Sequence, residues 1–328
     1  MGKPYVIGID IGGQSTKLGI VDARGNIINQ TSFDTRDITT LKGYMDELEK
    51  TLSRIINAPA VGGSEKIKGI GIGAPNGNYY KGTIEMAPNL KWAKDKHGNP
   101  EVVYLKKTVE AALGLPVVVT NDANAAAQGE MIYGAAKGMK NFIEITLGTG
   151  VGSGIIIDGK VVYGHDGFAG ELGHTTSVRR TGRLCNCGKV GCLETYASAI
   201  GVARTARELL EIEPQRPSIL RNIPADEITS KDVAEAAAKG DGLSVDVFNY
   251  TGRLLGEAFA DFVAFSAPEA IILFGGLAQA GELIFKPAVQ AMEDNLLSIW
   301  KGKVKVLHSE LPGSEAAILG SAALAWEL

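Results

Sequence analysis

The chain has 328 residues, room for two domains of ordinary size and a sizeable buried core. Hydrophobic residues make up 45% and charged residues 21%, which excludes a disordered chain, and 33 basic against 37 acidic residues leave a net charge of −4. That balance gives neither nucleic acid nor an anionic membrane a reason to bind, and with no leader pattern near Met1 and no apolar run approaching membrane-spanning length a cytoplasmic protein is expected.

In chain order, Tyr5–Ile11, the stretch around Leu18 and Ile20, and Asn26–Phe33 read as a three-stranded meander with a turn at Ala23-Arg24-Gly25. Leu41, Met45, Leu48, Leu52, Ile55 and Ile56 recur at helical spacing. Ile67–Ala74 then reads as a buried strand, Val102–Leu113 as a helix and Pro116–Thr120 as a further strand. The order recurs: Phe142–Leu147, Gly152–Ile157 and Lys160–Tyr163 form a second meander turned by Asp158-Gly159. A helix over Ser244–Phe265 precedes a buried strand, Ala270–Phe274, then a helix near Leu283–Leu297, a strand Lys303–His308 and an alanine-rich helix Ser314–Trp326. Arg216-Pro217 and Asn222-Ile223-Pro224 mark a surface loop. Residue identity between the halves is low, so the repetition is one of topology. These elements predict an α/β protein of two domains with mixed sheets flanked by helices. The boundary is placed near Asn121: residues 1–120, completed by the C-terminal helix 313–328, and residues 121–312.

Glycine is the compositional outlier, at 42 residues. Asp10-Ile11-Gly12-Gly13-Gln14-Ser15-Thr16-Lys17 joins two strands, and Gly148-Thr149-Gly150 joins two more. Such turns let backbone N–H groups approach phosphate, with Asp10 able to hold the water shell of Mg2+. A tight hairpin would account for either turn alone; two at matching places in two halves point to a nucleotide. Gly275-Gly276 ends a buried strand and enters a helix, as a loop beneath an adenosine would. No P-loop and no strict Gly-x-Gly-x-x-Gly occurs, which disfavours both of those nucleotide-binding designs. Asp122 follows the apolar Val117–Val119 and precedes a helical run, so it stands at a strand's carboxyl end. There it could serve as a general base, while Asn121 or Asp122 would also serve as a helix cap. Cys185, Cys187 and Cys192 crowd into eight residues, with His174 not far before them. An odd, clustered count fits a tetrahedral Zn2+ site better than disulfides, the alternative being inert core cysteines.

Together Ala169-Gly170-Glu171-Leu172-Gly173-His174, Cys185-x-Cys187-Gly188-x-x-Gly191-Cys192-x-Glu194, Asn121-Asp122-Ala123-Asn124-Ala125, the Asp10 turn and Gly275-Gly276 resemble the signature of the ROK family of sugar kinases and sugar-responsive repressors, over essentially the whole chain. The resemblance implies two actin-like (ribonuclease H-like) domains with a cleft between them and transfer of phosphate from ATP with Mg2+ to the 6-hydroxyl of a hexose. Glucose is the first choice; N-acetylglucosamine or N-acetylmannosamine is the alternative. It implies Asp122 as the base, Asn89, Asn121, Glu171, His174 and Glu194 on sugar hydroxyls, and a structural Zn2+ on His174, Cys185, Cys187 and Cys192 in an insert spanning 174–192. Gly12, Gly13, Gln14, Ser15, Thr16, Lys17, Gly148, Thr149, Gly150, Gly275 and Gly276 would face the nucleotide, and a homodimer or homotetramer is expected. Two departures stand out. Where the family commonly has Gly-x-Pro-Gly, this chain has Gly73-Ala74-Pro75-Asn76-Gly77-Asn78, placing Asn76 and Gly77 beside the sugar, and Gln14 stands where threonine is common. The family's repressors carry a helix-turn-helix region ahead of the first strand, which here already begins at Tyr5. Its polyphosphate-dependent members characteristically lack the cysteine cluster, so ATP is the expected donor. His97, His165 and His308 are assigned to surface or packing.

Overall fold

The computed structural model describes residues 2–313 and 315–328. In chain order the elements are β1 (Tyr5–Ile11), β2 (Ser15–Asp22), β3 (Ile27–Asp34), α1 (Leu41–Ile56), β4 (Ile67–Ala74), β5 (Gly77–Asn78), β6 (Thr83–Glu85), β7 (Val102–Val103), α2 (Leu105–Leu113), β8 (Val117–Asn121) and α3 (Asp122–Tyr133). They continue as β9 (Phe142–Leu147), β10 (Val151–Ile157), β11 (Lys160–Val161), α4 (Glu194–Ala197), α5 (Ala199–Ile212), α6 (Ser230–Ala238), α7 (Gly242–Ser266), β12 (Ala270–Phe274), α8 (Glu282–Asn295), β13 (Lys305–His308) and α9 (Ala316–Ala325).

One large sheet runs β3-β2-β1-β4-β8 and the other β11-β10-β9-β12-β13, the same order twice. In the first, β1, β4 and β8 are parallel and β2 and β3 antiparallel; in the second, β9, β12 and β13 are parallel. A small sheet, β5-β6-β7, is not hydrogen-bonded into either and lies against β8. The expected mixed sheets flanked by helices are therefore present. Among the described residues no helix is long and apolar enough to cross a membrane.

The chain forms two compact units. The first runs up to Gly138 and adds Gly154–Gly170 and Glu310–Leu328; the second takes Met139–Ser153 and Glu171–Ser309. The edge thus lies at Gly138 and not near Asn121, because α3 packs within the first unit: a Cβ on Gly129 would meet Gly320 Cα of α9 at 2.8 Å. In turn α9 lies directly on the sheet. Cβ atoms on Gly8 of β1 and Gly71 of β4 would sit 2.1 Å from Ile318 O and 1.9 Å from Ser321 O. On the first unit α1 buries Met45, Leu48, Leu52, Ile55 and Ile56 of the residues at helical spacing, adds Tyr44, leaves Leu41 half-buried, and starts where Thr40 Oγ1 accepts from Gly43 N at 3.1 Å. Each such side chain contributes roughly 1.5–3 kcal/mol on leaving water.

Some expected boundaries shift. Val102–Val103 pairs with Ile84 and Glu85 as β7, and the helix expected from Val102 begins at Leu105. The strand expected over Lys160–Tyr163 ends at Val161, and the one expected from Lys303 begins at Lys305. The helix start expected at Ser314 lies outside the described residues.

Candidate active site

In the first unit the parallel strands deliver their carboxyl ends together. The register sets Asp10 of β1 against Gly73 of β4, and Gly73 against Thr120 of β8, so Asp10 and the Asn121-Asp122 pair leave the sheet at one edge with a glycine between them. Burial, then the negative charge of Asp122, pushes the half-buried Asp10 carboxyl up to about 6, against an opposing pull from Lys17, its cross-strand partner. Asp122 is raised as well, by burial, although solvent still reaches its side chain. Two carboxylates that resist ionising side by side suit a cation or a proton acceptor. The cap is made by Asn121, whose Oδ1 accepts from Ala123 N at 2.8 Å, leaving its amide N–H groups to a ligand. That N–H also reaches Asp122 Oδ1 at 2.9 Å, which helps to fix the carboxyl's orientation.

The first glycine turn is closed by Gly12 N donating to Ser15 O at 2.9 Å and is held from behind by Thr35, whose N–H donates to Gln14 O at 2.9 Å. Gly12 and Gly13 are half-buried and Gln14 exposed, with Ser15 and Lys17 beside them. Gly13 lies against exposed Asn89, whose carbonyl oxygen would be 3.0 Å from a Cβ there. Two expectations need correction, those for Thr16 and Gly77. Thr16 is fully buried and its hydroxyl is 3.1 Å from Tyr44 Oη, so it supports the turn rather than facing a nucleotide. Gly77 is buried, its Cα so close to β8 that a Cβ would be 2.2 Å from Thr120 O. Asn76 is exposed, with φ +52°, but its amide donates to Glu85 O at 2.9 Å and so shapes its own loop.

In the second unit the Gly148-Thr149-Gly150 turn is closed by Gly148 N donating to Gly150 O at 3.0 Å, and Gly148 O accepts from Ala199 N, at the head of α5, at 2.9 Å. Gly275, with φ +100°, comes so close to β9 that a Cβ would be 2.5 Å from Leu147 O. These two glycine segments share a recess of about 750 Å³ with Ser230, Lys231 and Glu235 of α6 and with Gly276 and Gln279. Its size suits a nucleoside. The α6 residues were missed from sequence, because a nine-residue helix of alanines and alternating charge carries no ligand signal.

His174, Cys185, Cys187 and Cys192 come together, with one ligand atom from each lying within 4.8 Å of the others. Cys185 Sγ is 3.7 Å from His174 Nδ1, and Cys187 Sγ is 3.6 Å from Cys192 Sγ. Zn–S bonds of about 2.3 Å at tetrahedral angles set sulfurs roughly 3.8 Å apart, so the donor set fits such an ion. Burial and the neighbouring thiols push Cys192 up to about 12, a penalty that a central cation would remove. With Nδ1 toward the cluster, the other ring nitrogen of His174 points elsewhere. Glu194 opens α4, its Oε2 accepting from Val151 N at 2.9 Å beside the glycine turn and its Oε1 3.9 Å from Cys185 Sγ. Glu171 is exposed just before His174. The remaining histidines do as expected: His97 and His165 are exposed, and His308 stacks on Phe285 at 3.6 Å.

The ROK family model matches residues 6–327. A glucokinase of Streptomyces coelicolor is 37% identical over 326 residues, 98% of this chain and 97% of that protein. The crystal structure of a ROK family glucokinase from Streptomyces griseus in complex with glucose and AMPPNP is 36% identical, with a TM-score of 0.77, covering 99% of this chain and 100% of that one. A xylose repressor of Caldicellulosiruptor bescii is 30% identical over 328 residues, 97% of this chain and 77% of that protein.

Proposed function

The chain belongs to the ROK family, and from that premise we propose that it phosphorylates the 6-hydroxyl of glucose with ATP, giving glucose 6-phosphate and ADP. The observation that carries the reading is likeness along the whole chain to glucokinases, one of them holding glucose and a nucleotide analogue. The actin-like arrangement of the two sheets accords with it.

Asp122 accepts the proton as the sugar oxygen attacks the γ-phosphorus and the bond to the bridging oxygen of ADP breaks. Burial raises its pKa, which makes it a better proton acceptor than an ordinary aspartate. Backbone N–H groups of Gly13 and Gly150 cradle phosphate oxygens, while those of Gly12 and Gly148 close the turns, and Lys17 adds a positive charge beside Asp10. Mg2+, held through water by Asp10, would offset charge on the phosphates. The recess beside Gly276 takes the adenosine, with Lys231 and Glu235 at its rim. Glu171 and Glu194 accept from sugar hydroxyls, and Asn89, the amide of Asn121 and the outer ring nitrogen of His174 complete the set. Zn2+ on His174, Cys185, Cys187 and Cys192 would hold that ring in place without touching the chemistry.

A coupled assay of the purified chain over glucose, N-acetylglucosamine and N-acetylmannosamine, with ATP or polyphosphate, tests the activity, and Asp122 variants in the same assay test the mechanism. Glucose with ATP is expected to give the highest kcat/KM. Asp122→Asn, in which Asn121 still caps α3, should fold normally and lose kcat by about 10²–10⁴-fold with little change in glucose KM. If Asp122→Asn turns over normally while Asp122→Ala only melts earlier, Asp122 is no base.

A further inference from the structure

Glu194 is held by more than the cysteine cluster. Arg183, two residues before the first cysteine, has a side chain only 7% exposed. Its guanidinium donates to Thr195 O at 2.7 Å and Gly201 O at 3.2 Å through one nitrogen, and to Thr205 Oγ1 at 2.8 Å and the Glu208 carboxylate through another. The same group lies over the Tyr196 ring, 4.5 Å from its centroid. Backbone bonds reinforce the junction: Arg183 N donates to Tyr196 Oη at 2.9 Å, and Arg183 O accepts from Gly191 N at 2.8 Å. Thr195 and Tyr196 directly follow Glu194, whose Oε2 in turn holds Val151 N beside the second glycine turn.

We propose that Arg183 is a positioning residue for the hexose site, its planar fork fixing the first turn of α4 and with it the Glu194 carboxylate, independently of any metal on the cysteines. The inference rests on reading Glu194 as an acceptor from sugar hydroxyls. Only a guanidinium can satisfy two carbonyls with one nitrogen and a hydroxyl and a carboxylate with the other while its flat face covers an aromatic ring. Lysine would supply the charge without the fork. The remaining face of this junction borders a recess of about 610 Å³ lined also by Leu209, Ile212 and Tyr250, wide enough to admit a small planar cation to the position Arg183 occupies.

The test uses the full chain as purified, with Arg183→Ala, Arg183→Lys and Glu194→Gln compared for glucose KM, kcat, bound metal and melting temperature. Both Arg183 variants are expected to keep the wild-type metal content while glucose KM rises about tenfold and kcat stays within about threefold, the pattern of lost ground-state binding. Millimolar guanidinium should lower the KM of Arg183→Ala and leave the wild type unchanged. If the alanine variant does not fold, Arg183→Lys carries the test through its KM, kcat and metal content. A folded variant with unchanged glucose KM, a KM that rises only in step with metal loss, or an alanine variant that guanidinium does not rescue would overturn the proposal. Unchanged glucose KM in Glu194→Gln would instead remove the reading of the hexose site on which it rests.

Discussion

Asp10 shows what a single site residue costs the fold. Its carboxyl, at 3.8 in the unfolded chain, rises to about 6 in the folded one, first through burial and then through Asp122. The folded state therefore keeps a proton that the unfolded state has released, so stability falls as pH rises from 3.8 through about 6 and is level above it. The span corresponds to roughly 3 kcal/mol lost at neutral pH, which a cation beside the carboxylate would recover. Asp10→Asn removes the ionisation, so urea titrations should find the variant up to ~3 kcal/mol more stable than wild type at pH 7, with the advantage shrinking to nothing below pH 4, while kinase activity collapses. An unchanged or lower stability at pH 7 would show that Asp10 is not strained by its surroundings. The position of Asp10 at a strand's end was legible in sequence, because an acid next to two glycines after an apolar run has few other uses. The burial of Thr16 was not. A strand's two faces alternate, and nothing local says which of Ser15 and Thr16 turns toward α1; only Tyr44, 28 residues on, decides it.

Among the elements, those with a long period read true and those fixed by distant partners did not. The spacing of Leu41 to Ile56 made α1 visible, and the apolar runs of β1, β4, β9 and β12 made the parallel strands visible, since strands buried on both faces are nearly continuous in hydrophobicity. By contrast β7 has two residues, too few for any period, and exists because Glu85 and Ile84 lie opposite. The alanine-rich α9 belongs to the first unit, as the resemblance implied, but its own residues gave no hint of how it seats on the sheet. Its small residues leave no apolar stripe to orient it, and what places it is the glycines of the strands beneath. At Gly71 a methyl would lie 1.9 Å from the carbonyl oxygen of Ser321, a backbone atom that cannot swing aside. Overpacking of this kind typically costs about 1–3 kcal/mol, and here α9 must lift off β4 as a body. Gly71→Ala should therefore lower the melting temperature markedly, whereas Gly313→Ala, with nothing within 4 Å of the new methyl, should leave it nearly unchanged. Equal melting temperatures would mean that α9 does not rest on β4 as described.

At the scale of the whole molecule, the same strand order appears twice, and each copy places a glycine turn after its first strand: Gly12-Gly13 after β1 and Gly148-Thr149-Gly150 after β9. What distinguishes the second copy is the loop between His174 and Cys192, which has almost no regular structure to hold it. Two isolated bridges, Thr176 to Cys192 and Leu184 to Val190, are all its ladder, and Leu184 is 69% exposed. A loop this irregular needs either a packed core or a cross-link, and its buried anchors are Arg183, Cys185 and Cys192. A metal on the four donors would tie both ends of the loop to one point, and since its ligands must be deprotonated, binding would also remove the burden on Cys192. Elemental analysis should find close to one zinc per chain. Cys187→Ser, which removes the exposed ligand and leaves the two buried thiols packed, should lose the metal, melt earlier and bind glucose more weakly, because His174 then keeps no fixed ring orientation. The same losses should follow when a strong chelator strips wild-type protein, and added zinc should reverse them in wild type but not in Cys187→Ser. Metal-free protein with unaltered melting and glucose KM would mean that the four residues are a packed thiol cluster and that Arg183 alone holds the loop.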